Sequence, residues 1–274
     1  MQLTRHQTDQ GARWAKDGFF LPPSLTLSAL LENRREAMIQ MLTTLPCIES
    51  ANDELLAPID PLQEVWAAGV TYLRSLDARR MESQVVDVYD RVYAADRPEL
   101  FFKAAGWRVV GAGDPIRIRA DSRWNVPEPE LVIVMNRHCE IIGYCAGNDV
   151  SSRDIEGENP LYLPQAKIYD GSCALGHGIV ICEAHEISDT PIRLKIERGS
   201  ATVFEGEATT ATMKRTLTEL AEYLTRELNF PHGVFLMTGT CLVPGNEFTL
   251  QPNDFVHIQV GSLTIKNHVA DVRR

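Results

Sequence analysis

Glu128 and Glu130 stand two residues apart at the head of an apolar run, Leu131-Val132-Ile133-Val134-Met135. Side chains alternate faces along a strand, so the two carboxylates point the same way. Like charges on one face of a partly buried strand repel unless something positive lies between them. A second run, Ile141-Ile142-Gly143-Tyr144-Cys145, follows the polar turn at residues 136–140, and the pair reads as a hairpin. Its return leg brings Asn148 and Asp149 back beside Glu128, which puts three carboxylates within reach of one point. Oxygen-only donors suit a hard divalent cation, Mg²⁺ first, with Mn²⁺ and Ca²⁺ as alternatives. Glu-x-Glu by itself is the mark of an exposed acidic strand start, since Glu is rarely buried. Asp149 and the segment after it shift the reading toward a metal.

That segment runs from Val150 to Lys167 with no period of 2 or 3.6, as a long ordered functional loop would. Lys167 closes it in an otherwise neutral stretch. A lysine beside a metal centre can stabilise an enolate by its charge, or act as a base if desolvation and the cation lower its pKa. Without that setting it is an ordinary surface lysine.

The elements that must position these groups follow from patterning. Residues 25–42 have helical spacing, with Leu30, Leu31, Met38 and Met41 on one side and Ser24 or Thr26 as the cap. Residues 55–61 form an extended linker, which divides a small N-terminal domain, 1–60, from a main domain, 61–274. Residues 64–72 form a buried strand. The charged stretch 73–97 has helical pieces and is most simply a surface element. Short strands are expected at 107–110, 116–119, 130–135, 141–145, 178–182, 192–198, 202–207, 235–238, 248–250, 255–260 and 262–265, an antiparallel, strand-rich core. One amphipathic helix interrupts them over 216–228. There is no glycine-rich phosphate loop.

Composition narrows the partners. A net charge of −10 excludes a basic face for nucleic acid or for an anionic membrane surface. No apolar run is long enough to cross a bilayer, and the first residues lack the apolar core of a signal peptide. The six cysteines show no Cys-x-x-Cys spacing and sit mostly in apolar segments, as reduced core residues of a cytoplasmic protein would.

Glu128-Pro129-Glu130, Gly147-Asn148-Asp149-Val150-Ser151-Ser152-Arg153-Asp154, Lys167 and Leu236-Met237-Thr238-Gly239-Thr240 together resemble, in order, the catalytic-domain motifs of the fumarylacetoacetate hydrolase superfamily. The likeness extends from about Leu55 to about Asp271. It implies an α+β fold, a mixed β-sandwich roll with a small N-terminal domain, assembled as a homodimer or higher homo-oligomer. It implies Mg²⁺ or Mn²⁺ on Glu128, Glu130 and Asp149, with Lys167 facing a small 2-oxo acid. Thr240 and nearby backbone N–H groups would hold the substrate carboxylate, and Arg153 would support the loop. Gln165, Arg74 and Ser75 are further substrate-binding candidates.

The hydrolases of this superfamily carry a Tyr-x-x-His motif that activates the attacking water. Here the segment is Tyr72-Leu73-Arg74-Ser75, and a serine hydroxyl has no useful basicity near pH 7. The longer stretches Arg97-Pro98-Glu99-Leu100-Phe101-Phe102-Lys103 and Ile155 to Lys167 resemble one branch, the 2-keto-3-deoxy-pentonate (D-arabonate type) dehydratases. That likeness implies removal of water from the sugar acid to give 2,5-dioxopentanoate, with Lys167 and Glu99 dividing the base and acid roles. C–C hydrolysis or decarboxylation of another 2-oxo acid is the same-fold alternative. A metal-binding scaffold without activity is the alternative of another class.

Overall fold

A computed structural model of the chain describes residues 1–47, 49–73 and 88–272. Its centre is the hairpin of Pro129–Met135 and Ile141–Asp149, in register from Pro129↔Asn148 to Met135↔Ile141. Every residue of Pro129–Met135 is buried. A strand covered on both faces needs a continuous apolar run rather than an alternating one, and this run supplies it. Asn136 makes the turn: its Oδ1 accepts the backbone N–H groups of His138 at 3.0 Å and Glu140 at 2.9 Å.

Among the described residues, this hairpin lies inside an 11-stranded sheet. On one side Pro129–Met135 pairs with Val234–Met237, which pairs with Glu64–Gly69, which pairs with Glu99–Ala105. The pairing of Val234–Met237 with Glu64–Gly69 is parallel, and its neighbours are antiparallel. A separate four-stranded antiparallel sheet, Ala201–Thr209, Pro191–Arg198, Phe255–Val260 and Leu263–His268, packs against the central hairpin. It turns Ile192, Leu194, Ile196, Val256, Ile258, Val260, Leu263 and Ile265 inward at period 2. The helix Leu217–Thr225 is capped by Thr216, whose Oγ1 accepts the Glu219 N–H at 3.1 Å, and buries Leu217, Leu220, Ala221 and Leu224.

Several elements differ from the sequence-based expectation. The helix expected over 25–42 is two helices, Leu27–Leu31 and Arg35–Thr44. Asn33 Nδ2 donates to the Ala29 carbonyl at 2.9 Å and ends the first, while the Glu140 carboxylate accepts the Arg35 N–H at 2.8 Å and starts the second. The stretches 107–110, 116–119 and 248–250 are not strands: a 3₁₀ turn spans Gly106–Arg108, and Val110 and Ile116 make single bridges only. The first residues form a hairpin, Gln2–Thr8 with Gly11–Lys16, that periodicity did not announce. Across the boundary expected near residue 60, Gln2 and Leu3 pair with Val180 and Ile179, so one sheet carries strands from both sides of it. Segment 151–167 is ordered, as expected, but as short helices, Arg153–Glu158 and Leu163–Lys167, around a 3₁₀ turn at Pro160–Tyr162.

Candidate active site

Five neighbouring strands deliver their matching ends to one place. Pro129–Met135 and Glu99–Ala105 begin there; Ile141–Asp149, Val234–Met237 and Glu64–Gly69 end there. The meeting of strand starts and strand ends at one edge of the sheet is what gathers residues distant in sequence. Glu128, Glu130, Asp149, Glu99, Gly69, Gly239 and Thr240 all line one small cavity. Helices Arg153–Glu158 and Leu163–Lys167 close it, contributing Arg153, Glu156 and Lys167.

The carboxylates of Glu128, Glu130 and Asp149 place one oxygen each within 4.8 Å of the others, and all three residues are buried. Arg153 donates to Glu128 Oε1 at 2.6 Å, and Lys167 Nζ donates to Glu128 Oε2 at 2.6 Å. Lys167 Nζ also donates to Asp149 Oδ2 at 2.9 Å and to Ser151 Oγ at 2.5 Å. The remaining Asp149 oxygen, Oδ1, has Lys103 Nζ at 2.5 Å. Glu130 stands apart: its Oε2 accepts a backbone N–H, that of Gly239, at 2.6 Å. Gly239 has φ +96°, a left-handed conformation that side chains disfavour, and this aims its N–H inward.

Burial first, and then the charges of Asp149 and Glu128, push the Glu130 carboxyl well above its ordinary pKa; the Lys167 charge offsets part of that. A buried carboxylate repelled by two others is what a divalent cation relieves. The donor set is oxygen only, and it is compact enough for small side-chain rotations to bring all three onto one ion. The residues present therefore fit Mg²⁺, which Glu128, Glu130 and Asp149 would hold.

The sequence-derived candidates fall as follows. Glu99 is half-buried at the cavity, with its carboxyl packed over the Cα of Gly69, where a Cβ would overlap it. Thr240 lines the cavity, and its Oγ1 lies 3.2 Å from the Pro129 carbonyl and 3.1 Å from that of Leu242. Gln165 is exposed and is not among the cavity's lining residues; its backbone carbonyl accepts from Arg119 at 3.1 Å. Arg74 and Ser75 lie outside the described residues. Lys103, Glu156 and Ser151 were not singled out from sequence. Lys103 had a signal: it shares a strand face with Glu99 and Phe101, at spacing two, in an otherwise apolar strand. Burial pushes the thiols of Cys145 and Cys173 upward, which removes both as nucleophiles.

Residues 64–270 match the family model described as fumarylacetoacetate (FAA) hydrolase C-terminal. The chain is 48% identical over 217 residues to a probable 2-keto-3-deoxyxylonate dehydratase of Haloferax volcanii, covering 78% of this chain and 74% of that protein. It is 44% identical over 214 residues to 2-dehydro-3-deoxy-D-arabinonate dehydratase of Saccharolobus solfataricus, covering 75% of this chain and 70% of that one. A solved 2-keto-3-deoxy-D-arabinonate dehydratase complexed with magnesium and 2,5-dioxopentanoate superposes over 100% of both chains, with a TM-score of 0.84 at 33% identity. Its apo form gives a TM-score of 0.86.

Proposed function

The chain belongs to the fumarylacetoacetate hydrolase family, and from that premise we propose that it is a divalent-metal-dependent hydro-lyase that dehydrates a 2-keto-3-deoxy-pentonate to 2,5-dioxopentanoate. The observation that carries this is the meeting of Glu128, Glu130 and Asp149 with Lys167 and Glu99 in one cavity. The relatives named above are dehydratases, and one solved neighbour holds magnesium with 2,5-dioxopentanoate. Among the described residues, the cavity lining contains no histidine. Hydrolysis of a C–C bond needs a base to activate water; elimination of water does not.

When bound, Mg²⁺ supplies Lewis-acid polarisation of the 2-oxo group, which acidifies C3 and stabilises the enolate. Lys167 takes the C3 proton. Lys167 Nζ now donates to Glu128 Oε2 and Asp149 Oδ2; if those carboxylates held a cation instead, Nζ would be released toward the substrate. Glu99 gives its proton to the C4 hydroxyl, which leaves as water and creates a C3=C4 double bond. A proton moved from C5 to C3 turns this into the C4=C5 enol, and tautomerisation carries the enol's hydroxyl proton to C4, giving the C5 aldehyde. Thr240 hydrogen-bonds the substrate carboxylate. Arg153 keeps Glu128 aimed at the cavity through its 2.6 Å contact.

The protein works as a homo-oligomer, at least a dimer, in the cytoplasm; its six cysteines are free, as a reducing compartment keeps them. No described helix is long and apolar enough to cross a membrane. Light scattering on the purified protein tests the assembly.

A panel of 2-keto-3-deoxy sugar acids, both C4 epimers included, and diketo acids, incubated with Mg²⁺ and followed by product identification, tests the chemistry. The expected product is 2,5-dioxopentanoate. Pyruvate from a diketo acid, with sugar acids untouched, would instead establish C–C hydrolysis, and no product from either class would leave a scaffold.

A further inference from the structure

Lys103 has no exposed surface at all, yet it carries a charge-bearing side chain into the core. An ammonium buried so deeply persists only where it is hydrogen-bonded and paired with an opposite charge. Its Nζ lies 2.5 Å from Asp149 Oδ1, 2.6 Å from the Lys167 carbonyl and 3.2 Å from the Val150 carbonyl. Those partners share a pattern. One is a carboxylate of the metal triad. The other two are the main-chain carbonyls that flank segment 151–166, the segment that brings Arg153 and Glu156 to the cavity. Lys103 therefore ties the start and the finish of that segment to a single atom. The same strand face carries Phe101, whose ring centroid lies 5.8 Å from Lys167 Nζ, and Glu99.

We propose that Lys103 is a positioning residue: its ammonium fixes the Asp149 carboxylate and the Lys167 backbone to each other, and so sets the spacing between the metal ligand and the lysine that faces the substrate. This rests on the reading of Glu128, Glu130 and Asp149 as the metal site. Lys103 touches neither substrate nor reacting atoms. Its work is to leave Asp149 only one rotamer and to keep Lys167 at the distance that rotamer requires.

Charge and position make opposite forecasts for Lys103→Met and Lys103→Gln. Removing a positive charge beside three carboxylates would, by Coulomb's law alone, tighten a dication. Losing the clamp on a ligand weakens it, by about 10- to 100-fold where a partner of a metal ligand is removed. Calorimetric titration of the metal-free proteins with Mg²⁺, without substrate, reads the sign directly. The expected result is a 10- to 100-fold higher Mg²⁺ Kd in both variants, with wild-type far-UV circular dichroism. A Kd unchanged within twofold, or lower, overturns the proposal. So does failure of both variants to fold, which would make Lys103 a core ion-pair residue only. Wild-type protein that binds no Mg²⁺ would instead defeat the metal reading itself, a distinct outcome.

Discussion

The ammonium of Lys167 donates to Glu128 Oε2 at 2.6 Å, with both side chains almost wholly buried. The same nitrogen reaches Asp149 Oδ2 at 2.9 Å, so one lysine bridges two of the three proposed metal ligands. In the metal-free protein it balances their charge; in the proposed reaction it is the base. Lys167→Met separates these duties. Turnover should fall by about 10²- to 10⁴-fold, the span of a general base, while Mg²⁺ binding stays equal or tightens as a competing cation is lost. The metal-free variant should melt lower, because breaking a buried ion pair from one side costs about 3–5 kcal/mol, and saturating Mg²⁺ should recover much of that. Near-normal turnover would remove Lys167 from the chemistry.

Glu130 makes the pH dependence specific. Its folded-state pKa is raised well above 4.5, first by burial and then by its acidic neighbours. The folded metal-free protein therefore holds a proton that the unfolded chain has released. Its stability falls as pH rises from about 4.5 through the raised value. Glu130→Gln keeps the shape and an acceptor for the Gly239 N–H but has no proton to lose. Metal-free Glu130→Gln should melt above metal-free wild type at pH 8, with the gap closing toward pH 5, and Mg²⁺ should no longer stabilise it strongly. Melting curves across pH 5–8 with and without EDTA measure this; identical pH slopes in the two proteins would contradict it.

How far this site was legible from the chain depended on whether its geometry was local. Strand alternation placed Glu128 and Glu130 together, and one hairpin brought Asp149 beside them, so the triad followed from 22 consecutive residues, 128–149. Lys103 did not follow, because its partners Val150 and Lys167 are far off in sequence and meet it only through the sheet order. Gln165 lies two residues before Lys167, but a helical turn puts it on the outer surface. The N-terminal hairpin was illegible for a different reason: between Gln2 and Thr8 only Leu3 and His6 are buried, too few to show a period. Apolar runs also misled. Trp107 is 66% exposed in a 3₁₀ turn, so the stretch 107–110 has the composition of a strand without a partner ladder.

Gly69 tests Glu99 without touching its chemistry. The two residues face each other across paired strands, Gly69↔Glu99, and a Cβ at position 69 would overlap the Glu99 carboxyl. The clashing atoms are the far end of a flexible side chain, which can swing aside. Gly69→Ala should therefore keep its melting temperature within a few degrees yet lose turnover by about 10²-fold or more, as an acid moved off its target does. Glu99→Gln should match it. If Gly69→Ala retains wild-type kcat/KM, the acid is another group, and Glu156, buried at the same cavity, becomes the next to replace.

Removal of the metal bears on all of this at once. Three carboxylate oxygens within 4.8 Å and no nitrogen or sulfur among them select a hard cation. EDTA-treated protein should lose turnover completely and melt lower. Mg²⁺ at about 100 times its Kd should add about 2.7 kcal/mol to the folded state, since it binds a site the unfolded chain lacks. Mn²⁺, with the same donor preference, should restore both properties. Glu128→Gln should need far more Mg²⁺ for half-recovery, because it removes one ligand charge and also frees Arg153 and Lys167 from their shared partner. Full activity in protein shown by elemental analysis to hold no metal would break the link between the triad and the reaction, and leave Lys167 and Glu99 to be explained as an ion-paired core.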